Sequence, residues 1–85
     1  MSNRISVEIS LYPLTPDYKP PIRDFIARLK ANSRLTVVSN TMSTQIQGEY
    51  DDVWDALKSE MRPNLTGAYR VVFAAKFMGP AEKGL

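Results

Sequence analysis

A chain of 85 residues with a net charge of +2 has room for one domain and one small core. With 44% hydrophobic and 24% charged residues it has a globular rather than a disordered composition, and its eleven Lys and Arg are dispersed rather than gathered into a nucleic-acid footprint. The absence of cysteine and histidine excludes a disulfide framework, a thiol nucleophile, and the commonest general base and transition-metal ligand.

Ile5 to Tyr12 alternate cleanly, with Ile5, Val7, Ile9 and Leu11 on one side and Ser6, Glu8, Ser10 and Tyr12 on the other. That pattern predicts a half-buried strand. Pro13 ends it, and the proline-rich LTPDYKPP leads into a helix with Pro21 in its first turn, where its missing N–H costs nothing. Ile22, Phe25, Ile26 and Leu29 form the buried stripe of that helix, and Asp24 and Arg28 form an exposed i, i+4 pair.

Asn32-Ser33 stops the helix, a second strand spans about Leu35 to Ser39, and a turn at Asn40-Thr41 returns the chain as Met42 to Gln47. Gly48 closes this third strand, and Asp51 or Asp52 is expected to cap a second helix. Val53, Trp54, Leu57 and Met61 supply its apolar face, and Pro63, Asn64 and Gly67 are expected to break it. The last strand is Tyr69 to Phe77, and from Val71 onward it is largely apolar on both faces, with Lys76 the exception. Residues 1–79 are expected to form one domain, and residues 80–85 a flexible tail marked by Pro80 and Gly84.

The order β-α-β-β-α-β predicts an α+β, ferredoxin-like sandwich, with two helices on one face of a four-stranded antiparallel sheet. The first and third strands are central. Parity sends Thr44 and Ile46 toward the helices and Ser43, Gln45 and Gln47 to the open face beside Glu8, Ser10 and Tyr12. Those six residues form a polar patch of low net charge, suited to a small, flat, polar ligand. A polar open face is also what an antiparallel sheet shows with no ligand at all. The doubly apolar last strand implies a cover on the open side, and homo-oligomerisation through sheet faces or edges would provide it.

Ser10-Leu11-Tyr12-Pro13, together with Ser43-Thr44, Gly48 and Val53-Trp54-Asp55 in one βαββαβ unit, resembles the YkoF-like thiamine/hydroxymethylpyrimidine-binding proteins. The resemblance spans about Ser6 to Gly79. It implies a non-enzymatic protein that binds thiamine through its aminopyrimidine part, requires no cofactor, and serves uptake or salvage of thiamine or its precursor, with a functional link to a transporter. YkoF-like proteins often carry two such domains in tandem. This chain has one, so a second copy would come from another subunit, as a dimer or tetramer.

On this reading the ligand-binding residues are Glu8, Ser10, Tyr12, Ser43, Thr44, Gln45 and Gln47. Glu8 would accept from the exocyclic amino group or offset a thiazolium cation, Ser10, Ser43 and Gln45 would complete the ring edge, and Tyr12 would flank the ring. Thr44 matches the motif, although parity turns it to the core. Trp54 and Phe25 are expected in the core. An ACT-like sensing domain and an acylphosphatase-like enzyme share this fold, but the loop after the first strand lacks the glycines and free N–H groups that cradle phosphate. An RNA-binding module would need aromatics on the third strand. Arg4 and Glu8 interrupt the first apolar stretch, and no run is long enough to cross a membrane, so a cytoplasmic protein is expected, and the Asn64-Leu65-Thr66 sequon is read as chance.

Overall fold

The alternation in the first segment puts it at the centre of a sheet. In the computed structural model, which describes residues 3–81, β1 (Arg4–Pro13) is followed by α1 (Lys19–Lys30), β2 (Thr36–Ser39), β3 (Thr44–Glu49), α2 (Tyr50–Leu65) and β4 (Val71–Met78). The strands form one antiparallel sheet in the order β2-β3-β1-β4. The predicted ferredoxin-like order is therefore found, with β1 and β3 central.

The core is made by the helix-facing parity of the sheet meeting the helical stripes. Val7, Ile9 and Leu11 of β1 and Ile46 of β3 are buried against Phe25 and Leu29 of α1 and Val53 and Leu57 of α2. Phe25 meets Phe73 of β4 edge-on, with ring centroids 5.1 Å apart. A β-carbon on Gly48 would lie 3.0 Å from Leu35 Cδ2 and 3.4 Å from Val53 Cγ2, so a side chain there would reach α2 at ordinary contact distance but would require Leu35 to shift.

Arg28 does not pair with Asp24 as its spacing suggests. Its Nε donates to Glu60 Oε1 at 3.1 Å, and its Nη2 donates to the Glu60 carbonyl at 2.8 Å and to Asn64 Oδ1 at 2.9 Å. A partner on the neighbouring helix offers three acceptors, more than one carboxylate on its own helix could. These bonds also hold the end of α2. The helix runs through Pro63 to Leu65, because a proline in the last turn removes a single i→i−4 bond there.

β3 continues past Gly48 to Glu49, and α2 starts at Tyr50 without a loop. Glu49, in extended backbone conformation, occupies the N-cap position without a side-chain cap bond. Asp51 and Asp52 therefore do not cap the helix; they lie in its first turn, where their charge complements the helix dipole. Trp54 is not core. It is 41% exposed, because Val53, Ala56 and Leu57 take the buried stripe and its own flank overlies the sheet edge, where it stacks on Phe77 with centroids 4.8 Å apart. After β4, Ala81 is buried and its N–H donates to the Arg4 carbonyl at 2.8 Å. Gly84 lies outside the described residues.

Candidate functional site

The strand register assembles the polar patch. Glu8 lies opposite Gln45 on one side and Lys76 on the other, and Ser6 lies opposite Gln47 and Met78. Ser43 immediately precedes β3, and its Oγ donates to Glu8 Oε2 at 3.2 Å. Glu8, Tyr12 and Gln45 are exposed on the open face, whereas Ser10 and Ser43 are half-buried. Gln47 is on the same face but covered, and its Nε2 donates to Ser6 Oγ at 3.2 Å.

The turn between β2 and β3 is shaped by Asn40. Its Oδ1 accepts from the backbone N–H of Met42 at 2.8 Å and of Ser43 at 3.0 Å, while its own N–H donates to the Ser43 carbonyl at 3.1 Å. An Asx turn of this kind fixes the backbone locally, and here it sets the position from which Ser43 reaches Glu8. Ser10 Oγ lies 3.5 Å from the Met42 carbonyl oxygen, tying β1 to the same turn.

Thr44 sits apart from the open-face residues. It is 5% exposed on the helix side, and its Oγ1 lies 3.3 Å from Ser39 Oγ. Two adjoining hollows follow from this division. On the open face, a hollow of about 330 Å³ is bordered by Glu8, Ser10, Tyr12, Met42, Ser43 and Lys76. At the end of the sheet, between α1 and the β2–β3 turn, a second of about 450 Å³ is bordered by the whole Ser10-Leu11-Tyr12-Pro13 run and by Ser43 and Thr44. Tyr18, Ile22 and Phe25 supply its opposite wall. Ser10, Tyr12, Met42 and Ser43 border both hollows. Further along the sheet, Ser6, Glu8, Gln45 and Gln47 border an open-face hollow of about 410 Å³.

The seven predicted residues are thus divided between a neutral, mainly apolar end hollow and a charged open face, with Ser10, Tyr12 and Ser43 at the junction. Sequence reading missed Lys76 as a neighbour of Glu8, although β4 parity already put it on the open face. It also missed Asn40 as more than a turn residue, and Tyr18, for which no sequence signal existed. Among the described residues, no group of three or more Asp or Glu is placed to hold a metal ion, and no helix is long and apolar enough to cross a membrane.

Comparison with solved structures returns the same fold. A protein from Streptococcus pneumoniae superposes with a TM-score of 0.83 at 23% identity, covering 96% of this chain and 92% of that one. A hypothetical protein from Methanocaldococcus jannaschii gives 0.79 at 25% identity, covering 95% and 84%. A protein from Thermotoga maritima, named for a candidate role in thiamine biosynthesis/salvage, gives 0.80 at 19% identity, covering 91% and 84%. No curated protein matches the sequence. The profile of the YkoF-related family matches residues 4–76, which include both motifs and all four strands up to Lys76, and the chain belongs to that family.

Proposed function

We propose that this protein binds thiamine or its hydroxymethylpyrimidine moiety without transforming it, and serves uptake or salvage of the vitamin or its precursor in the cytoplasm. The observation that carries this reading is the convergence of Ser10-Leu11-Tyr12-Pro13 and Ser43-Thr44 on one hollow. Family membership and the name of the Thermotoga neighbour support it.

An aminopyrimidine is flat and uncharged, with ring-nitrogen acceptors and one amino donor. The end hollow matches those needs with apolar and aromatic walls and a few hydroxyls and amides. The thiazolium ring of thiamine is a cation. Directed across the junction at Ser10 and Ser43, it would lie toward the Glu8 carboxylate on the open face, with Gln45 and Gln47 beyond. A two-ring ligand therefore has a neutral compartment and a charged one, in which the Glu8 carboxylate stands beside Lys76. The Ser43–Glu8 bond favours binding over catalysis: an exposed carboxylate is a weak base for activating a serine, and the chain has no histidine to relay the proton.

The direct test is titration calorimetry of the protein at about 0.1 mM with thiamine, hydroxymethylpyrimidine and a panel of amino acids. Heat with both pyrimidines and none with amino acids is expected. Silence with both pyrimidines rejects the proposal for affinities better than about millimolar, and heat with an amino acid alone transfers the chain to the ACT-like sensors.

A further inference from the structure

On the reading that this protein binds thiamine, we propose that the open face selects the ligand in a phosphorylated form. Lys76 binds a phosphate monoester on the hydroxyethyl arm, while Glu8 faces the thiazolium. Glu8 and Lys76 are opposed on neighbouring strands, the usual arrangement for a cross-strand ion pair. They do not form one. Among the described residues, the exposed Lys76 ammonium has neither an ion pair nor a hydrogen bond.

The backbone accounts for the separation. In an antiparallel ladder, opposed residues alternate between pairs that exchange hydrogen bonds and pairs that turn their backbone groups away. The Leu14 N–H donates to the Arg70 carbonyl at 3.0 Å, which sets the phase of the β1–β4 ladder. Ser6–Met78, Glu8–Lys76, Ser10–Ala74 and Tyr12–Val72 are then the bonded pairs, the wider kind, with Cα atoms about 5.5 Å apart. The Tyr50 N–H, donating to the Asn3 carbonyl at 2.8 Å, gives β1 the complementary phase toward β3. Glu8 and Gln45 are therefore a non-bonded pair, with Cα atoms about 4.5 Å apart and side chains closer. Ser43 holds the carboxylate on that side by donating to Oε2 at 3.2 Å, from a backbone position that Asn40 fixes. The anion is thus drawn toward β3, and the cation is left over β4.

Opposite charges held apart on one face match a ligand that carries both signs. A plain cation such as thiamine loses to Lys76 part of what it gains from Glu8. Its phosphate monoester adds a charge of about −1.5 to −2 at pH 7 and three acceptor oxygens, and lysine binds phosphate as a point charge. The path between the two charges is open. Ala74, opposite Ser10, gives the hollow of about 330 Å³ a low floor between the Ser10–Ser43 junction and Lys76. An arm crossing from β1 to β4 covers one strand spacing, about 4.8 Å, within reach of a lysine stem. Lys76 also borders the neighbouring hollow of about 410 Å³, where the Gln45 amide offers further donors.

The test is titration calorimetry of the full chain with thiamine, thiamine monophosphate and hydroxymethylpyrimidine, at about 50 and about 500 mM KCl. At low salt the monophosphate is expected to bind at least about threefold tighter than thiamine, and at high salt the preference is expected to shrink. Lys76→Gln is expected to move the two ligands in opposite directions. The monophosphate weakens about tenfold, while thiamine, relieved of a neighbouring cation, tightens. A damaged fold would weaken both, so opposite shifts report the charge itself. A preference below about threefold at low salt overturns the proposal and leaves thiamine binding standing. So does a preference that survives in Lys76→Gln, or an equal weakening of both ligands by that change. Silence with all three compounds rejects thiamine binding, and the phosphate site with it.

Discussion

Replacing Thr44 by valine separates the packing role of this residue from its role in binding. Its side chain is nearly inaccessible, and its hydroxyl lies 3.3 Å from Ser39 Oγ. Valine keeps the shape and deletes the hydrogen bond. Ser39 is half-buried rather than sealed, so its released hydroxyl can reach water, and the cost is that of an ordinary bond, about 0.5–1.5 kcal/mol, without the larger penalty of a stranded buried group. For a domain of this size, about 1 kcal/mol lowers Tm by roughly 4–8 °C. Thr44 also borders the end hollow, beside the Ser10-Leu11-Tyr12-Pro13 run. If the pyrimidine binds there, loss of the hydroxyl weakens thiamine binding about tenfold, equivalent to about 1.4 kcal/mol. Calorimetry in both modes, thermal scan and ligand titration, reads the two effects on one sample. Unchanged affinity with the expected loss of Tm would show that the ligand does not use this hollow. A fall in Tm beyond about 15 °C would show that the stability argument, with its cost of one solvated bond, is wrong.

Two further substitutions test separate parts of the reasoning. Glu8→Gln keeps the acceptor for Ser43 but removes the charge, so thiamine affinity is expected to fall by roughly tenfold while hydroxymethylpyrimidine, which lacks the cation, changes less than about twofold; equal losses for both would remove the thiazolium from the vicinity of Glu8. Gly48→Ala drives a β-carbon to within 3.0 Å of Leu35 Cδ2 and is expected to cost about 1–3 kcal/mol in urea unfolding; an unchanged midpoint would show that Leu35 yields freely.

The architecture was legible because periodicity carries it. Ile5 to Tyr12 alternate and Ile22 to Leu29 repeat at helical spacing, and in both cases the pattern picks out residues of the buried core, Val7, Ile9 and Leu11 in the strand and Phe25 and Leu29 in the helix. Local punctuation was less reliable. Pro63 reads as a helix breaker, yet α2 passes through it, with its last turn held from outside by Arg28 on Glu60 and Asn64. Trp54 shares a helical face with Leu57 and Met61, but which flank of that face is covered depends on where the sheet ends. The open-face members of the site follow from strand parity. The end hollow does not, since it arises between α1 and the β2–β3 turn, and bringing Tyr18 opposite Thr44 is a tertiary result that no spacing encodes.

β1 ties the site to both of its neighbouring strands. Its even-numbered residues Glu8, Ser10 and Tyr12 present their side chains to the open face and, by the ladder phase, bond their backbones to Lys76, Ala74 and Val72 of β4. Its odd-numbered residues turn their side chains to the core and their backbones to β3. The residues that border the charged hollow are therefore those tied most directly to β4, and a displacement of β4 along its axis would move Lys76 relative to Glu8.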